Sequence, residues 1–185
     1  MLKRYRKERH GKIQWIAQAY PRAKDPTGNV KLARDGGAVG AFIQGLVGDR
    51  FVREGRLELI GKIIAFMKDN GLAAGVGSHR LEVPKAVEKA GLEPDFYFKT
   101  FNDVGYYSEK PKQIADAMKA VNRPWIAFKV LGAGVVRPAK GFRLALEMGA
   151  DFLCVGMFDF QVKQDAATVK QLLAKDLPRQ RPWRS

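Results

Sequence analysis

The chain has one cysteine, two histidines and only 19 acidic residues against 33 basic ones in 185 positions. With Cys154 alone, no disulfide can form within the chain, which fits a reducing compartment, and the expected location is cytoplasmic. Of the two histidines, His10 sits in a charged tail and only His79 lies in the body, so a two-histidine metal site is not expected. No apolar run approaches the ~20 residues of a membrane span, and no apolar core follows the charged N-terminus as it would in a signal peptide. A membrane is therefore not an expected partner. No low-complexity linker divides residues 13–174, so one domain is expected there.

Positive charge is abundant. The formal net charge is +14, with +5 on residues 1–12 and +3 on residues 175–185. These ends read as a basic N-terminal arm or helix and a basic Pro/Arg-rich tail around a β/α-barrel domain over 13–174. Such ends attract polyanions, but no nucleic-acid motif accompanies the charge. They are expected to be solvated, and nucleic acid is not an expected partner.

Strand-like apolar runs alternate with helical patterns along the body. The runs are Ile13–Ala19, Val39–Gln44, Leu72–Ser78, Asp95–Phe101, Trp125–Leu131 and Phe152–Phe158. Helical patterns lie at Thr27–Arg34, from Phe51 through Met67 after a loop Gly45–Asp49, around Val83–Val87, over Pro111–Val121, after Arg137-Pro138, and from Asp165 to Ala174. Six strands each followed by a helix predict an α/β fold with a parallel sheet and right-handed connections. The fold class expected is a parallel β/α barrel of TIM type, partial, with six βα units. A full eight-unit barrel usually takes about 250 residues, with about 200 as a lower limit. A six-stranded, doubly wound open sheet is the competing architecture. An unclosed barrel leaves its first and last strands as free edges, which invite a homo-oligomer.

The stretch Pro124–Phe160 carries the strongest motif: strand, glycine turn at Gly132-Ala133-Gly134, helix stopped by Gly149, and a second strand containing Gly156. It resembles the last two βα units of phosphate-binding TIM-barrel enzymes. That resemblance implies that Gly132, Ala133 and Gly134, with Gly156 and Met157, hold a phosphate group. It also implies that two βα units are absent from the front. Residues 13–163 further resemble uncharacterised bacterial TIM-barrel proteins, through the runs AFIQGLVGD, GLAAGVGSH, IAFKVLGAG and CVGMFDFQV. Small residues that merely let strand and helix pack closely would account for the same glycines.

In a barrel the functional face lies at the C-terminal ends of the strands. Candidates there are Gln18, Gln44, Asp49, His79, Lys99, Asn102, Asp103, Lys129 and Asp159. If Phe96, Phe98 and Thr100 face the helices, alternation points Lys99 into the mouth, and Lys129 likewise. Two ammonium groups on strands about 4.8 Å apart would favour a neutral amine on one of them. Lys99-Thr100 with Lys129 before a glycine turn is similar to deoxyribose-phosphate aldolase. That resemblance makes Lys99 a Schiff-base nucleophile and Lys129 its perturber. The chain departs from it in having Phe101-Asn102-Asp103 after the Lys-Thr pair and no identifiable acidic proton shuttle. Alternatively the lysines hold an anionic substrate as fixed charges, or pair with carboxylates such as Asp103 or Asp159. His79 reads as a general acid/base, with Gln44 and Asn102 among the substrate-binding residues. Tyr106, Tyr107, Phe158 and Phe160 could wall a pocket, and Cys154 is expected in the core.

Together these features point to a lyase or isomerase acting on a small anionic or phosphorylated carbonyl or sugar compound. No cofactor and no metal are expected. The competing readings are a catalytically inactive barrel fragment or anion-binding scaffold, and a metal-dependent sugar-isomerase-like barrel.

Overall fold

The computed structural model describes residues 2–184. After a basic helix α1 (Leu2–Arg9), six strand–helix units follow. The strands are β1 (Ile16–Ala19), β2 (Gly40–Ile43), β3 (Ala73–Ser78), β4 (Phe96–Thr100), β5 (Trp125–Phe128) and β6 (Phe152–Cys154). They pair in parallel in the order β1-β2-β3-β4-β5-β6, with Ile16 beside Gly40 and Phe128 beside Cys154 at the two ends of the series. The remaining helices are α2 (Gly28–Asp35), α3 (Gly45–Arg53), α4 (Leu57–Asp69), α5 (Glu82–Lys89), α6 (Pro111–Lys119), α7 (Pro138–Glu147) and α8 (Asp159–Leu173). The sheet curls into a partial TIM-type barrel with β1 and β6 as free edges, the architecture expected from the alternation.

The two faces of the sheet are packed differently. The convex face, through Ala41, Ile43, Ala74, Val76, Tyr97, Trp125 and Ala127, joins the helices in one large core. The concave face holds a small aromatic cluster of Phe42, Phe96 and Phe98, flanked by Ile126 and Phe128. Phe42 on β2 and Phe98 on β4 stack at 4.1 Å between ring centroids. They are not on adjacent strands: β3 lies between them and presents Gly75 and Gly77 to this side. A Cβ on Gly75 would lie 2.3 Å from the Phe96 ring, and one on Gly77 would lie 2.2 Å from the Ile43 carbonyl. The small-residue composition of β3 is thus what lets the phenylalanines meet over it.

This packing reverses one expectation. Phe96 and Phe98 face the concave interior, so Lys99 points the other way, toward the helical shell, and is wholly buried. The aromatic triplets fill the inside because a curled sheet with glycines on β3 has room there for rings.

Several boundaries also differ. The segment read as a loop at Gly45–Asp49 is the first half of α3, capped by the Gln44 side chain, which accepts from the Val47 N–H at 3.1 Å. The single long helix expected after it is two helices, separated at Gly55, whose φ is +68°. β5 ends at Phe128 because Lys129 turns to φ +59°. β6 is only three residues long, and α8 begins at Asp159, where the Gln161 side chain accepts from the Phe158 N–H at 2.9 Å. Cys154, expected in the core, is exposed, since β6 has no neighbour on its outer side.

The tail expected to be solvated is bound to the barrel instead. Asp151 pairs with Arg179 at 3.2 Å and with Arg181 at 3.1 Å, and accepts from the Trp125 and Arg184 N–H groups. Arg181 is 3% exposed and also donates to the carbonyls of Gly149, Val121 and Arg123. The Arg179 guanidinium lies over the Trp183 ring at 3.4 Å. Burial lowers the pKa of both arginines, and Asp151 opposes that shift.

Candidate functional site

The rim at the C-terminal ends of β3, β4 and β5 gathers most of the candidate residues. His79 follows the last residue of β3 and is buried, with its Nδ1 3.0 Å from Asp49 Oδ2. Asp49 reaches it from α3. The same carboxylate accepts from the His79 and Arg80 backbone N–H groups, each at 3.0 Å. Nearly all of the acceptor capacity of Asp49 is therefore spent on this loop, and the ring is held in one orientation. Gly45 makes this approach possible: a Cβ there would lie 2.7 Å from His79 Cε1. With a proton on Nδ1 donated to Asp49, Nε2 remains as the basic nitrogen. The ring lies 5.4 Å from Tyr107 and 5.5 Å from Phe128.

Lys99 supports this loop from beneath. Its Nζ donates to the His79 carbonyl at 2.8 Å, to the Thr100 carbonyl at 3.2 Å and to Glu109 Oε2 at 2.9 Å. Glu109 Oε1 accepts from the Leu81 N–H at 2.8 Å. Burial pulls the Lys99 pKa below the usual lysine range, and Glu109 works against that shift. Of the readings the sequence left open for this residue, carboxylate pairing holds, with Glu109 as partner in place of Asp103 or Asp159.

Lys129 takes the opposite course. Its left-handed backbone, rare outside glycine, carries the side chain to the rim, where Nζ lies 4.2 Å from the centroid of Tyr107 and 4.7 Å from that of Tyr106. The two expected lysine directions therefore diverge, and the amines do not meet. Asn102 holds the tyrosine loop: its Oδ1 accepts from the Tyr106 N–H and its Nδ2 donates to the carbonyls of Tyr106 and Lys129. Asp103 pairs with Lys140, Asp159 accepts from the Phe160 N–H at the start of α8, and Gln18 is exposed on the β1 edge.

Two cavities flank Tyr107 and its neighbour. One, of about 880 Å³, is lined by Asp49, His79, Arg50, Arg53, Arg80 and Tyr107, among others. The other, of about 600 Å³, is lined by Tyr106, Lys129, Ala133, Gly134, Gly156 and Met157, among others. The glycine turn and the Gly156 corner do converge on one concave surface. Gly132, Ala133 and Gly134 all have positive φ, and a Cβ on Gly134 or Gly156 would meet nothing within 4 Å. The space above these two glycines is open to a ligand. Among the described residues, no three His, Cys, Asp or Glu side chains cluster as metal ligands.

The sequence brings Asp49, with Asp103 and Asp159, toward His79 only as possible ligands of a divalent metal, not as a hydrogen-bonded pair, because Gly45–Asp49 reads as a loop. Sequence reasoning missed Glu109, Arg50, Arg53 and Arg80. The spacing Leu46–Asp49–Arg50–Arg53 was a usable signal, since it marks one face of a helix.

No protein-family model matches the chain, and no curated protein matches it. Among solved structures it is similar to a provisionally named aldo-keto reductase from Pseudomonas aeruginosa, at 16% identity and a TM-score of 0.65. That match covers 85% of this chain and 66% of the other. It is also similar to a mutant FabK from Thermotoga maritima, at 15% identity and a TM-score of 0.50, covering 79% of this chain and 44% of that one. The chain thus spans just under two thirds of the first relative. Identities this low establish a shared β/α-barrel fold and nothing finer.

Proposed function

We propose that the C-terminal rim is an active site for acid–base chemistry, of the isomerase or lyase kind, on a small carbonyl or sugar compound bearing a phosphate-like group. The observation that carries this reading is the buried Asp49–His79 pair, 3.0 Å apart, on the wall of a cavity large enough for a metabolite. Asp49 fixes the imidazole tautomer, and Nε2 takes a proton from the carbon next to a carbonyl or returns one to it. The anionic group rests on the glycine turn and Gly156, with Lys129 as its counter-charge. Lys99 is a positioning residue in this scheme: it holds the His79 carbonyl and is itself held by Glu109.

The test is proton exchange into a panel of phosphorylated ketones and aldoses in D2O, followed by NMR. His79→Gln is expected to slow exchange about 10²- to 10⁴-fold in protein whose melting curve shows it still folded at the assay temperature. Exchange unaffected by His79→Gln would remove the reading. Phosphate-ester binding with no exchange on any panel member would favour an anion-binding scaffold.

A further inference from the structure

We infer that Arg50, Arg53 and Arg80 form a second anion subsite, so that the compound bound at the rim carries an anionic group at each end. This rests on the proposed function for the first group, at Lys129 and the glycine turn, and adds the second.

Leu46, Asp49, Arg50 and Arg53 occupy one stripe of α3, three and four residues apart, and all four line the larger cavity. The stripe's direction is fixed by Asp49, whose carboxylate is tied to His79 and to the Arg80 N–H. Arg53 follows Asp49 by one turn, about 6 Å along the axis, and lines the same cavity as His79. Arg80 adjoins His79 in the chain and lines the cavity from the other wall.

Among the described residues, none of these three arginines makes an ion pair, while eleven other Lys or Arg side chains do so with Asp or Glu. Two carboxylates line this cavity. Asp49 is committed to three nitrogens, which leaves Glu82 as the other negative group near three guanidinium groups. Tyr20 also lines this cavity, whereas the Ser108 hydroxyl donates to the Glu109 carbonyl at 3.1 Å.

Lys129 is likewise without an ion pair and sits across Tyr107 from this cluster. Cations without an ion pair therefore line both cavities, and His79 shares the arginine one. Guanidinium groups suit a phosphate or carboxylate bidentately. The ligand class that fits is a short carbon chain ending in two such groups, its reactive carbon at His79.

The experiment measures calorimetric binding of α,ω-alkanediol bisphosphates of increasing length and of the matching alkyl monophosphates, at fixed ionic strength. The proteins are the unaltered chain, Arg53→Gln/Arg80→Gln and Lys129→Gly, with melting curves for each. One bisphosphate length is expected to bind at least about tenfold more tightly than its monophosphate. Arg53→Gln/Arg80→Gln should erase that preference and leave monophosphate binding unchanged, whereas Lys129→Gly should weaken both. A bisphosphate no tighter than its monophosphate at every length, or a preference that survives the arginine changes, overturns the subsite. Absence of the glycine-turn anchor has a different signature: monophosphate binding then depends on Arg53 and Arg80 and is untouched by Lys129→Gly.

Discussion

Single residues carry two opposite lysine environments at the ends of adjacent strands. Lys129 holds a left-handed φ of +59°, which costs a non-glycine residue about 1–2 kcal/mol. Lys129→Gly should therefore melt at the same temperature as the parent or slightly above it, despite losing the tyrosine contacts, and differential scanning calorimetry would register this. Lys99 behaves otherwise, because its burial lowers its pKa in the folded chain. At pH values below the folded pKa both states hold the proton, and the penalty of the buried charge is fully present. Between the folded value and the ordinary lysine value the unfolded chain binds more protons, so stability rises with pH across that window. The melting temperature relative to Lys99→Met should thus climb as the pH rises toward the ordinary lysine value of about 10. Glu109→Gln should cost about 3 kcal/mol at neutral pH, the lower end for breaking a buried pair, because Glu109 keeps some solvent contact. Urea titration measures that loss.

At the scale of elements, β3 and α3 form the tightest joint. Gly48 on α3 lies against β3 so closely that a Cβ would sit 2.3 Å from the Gly77 carbonyl. Gly77→Ala and Gly48→Ala should each destabilise by about 1–3 kcal/mol, read as a lower urea midpoint, since backbone and not a pliant side chain blocks the space. Strand–helix alternation was plain in the sequence because apolar runs and glycine stops are local signals. The side each strand turns to the core was not, because Phe96-Tyr97-Phe98-Lys99 is apolar on both faces and only the β3 glycines decide where rings fit. The Asp49–His79 pair was hidden for a related reason. Gly45 and Gly48 read as loop formers, yet here they are a helix pressed onto a strand. The glycine turn was legible, since positive φ and glycine go together. Its neighbour Lys129 shares that backbone conformation without the residue type that announces it.

For the whole molecule, the unclosed sheet is the governing fact. β1 and β6 each have one unpaired side, and apolar residues such as Ile16 and Phe152 are exposed along them, at 40% and 52%. We expect concentration-dependent self-association through these edges. Phe152→Lys should shift light-scattering mass toward the monomer without lowering the melting temperature; an unchanged mass at every concentration would count against edge pairing. The terminal strap closes the opposite end of β5 and β6. Asp151→Asn would leave two arginines facing carbonyls without their counter-charge, and should cost about 3–5 kcal/mol. Limited proteolysis should then cut first near Arg179.

His79 lies between the rings of Tyr107 and Phe128, and the chain's other histidine, His10, is exposed on the N-terminal arm. The imidazole protons of His79 should consequently resonate away from random-coil positions through ring currents, while those of His10 stay near them. A simple proton spectrum thus contains one well-separated reporter at the centre of the rim. Its displacement on adding a phosphate ester would register occupancy without any label, before the reaction itself is known.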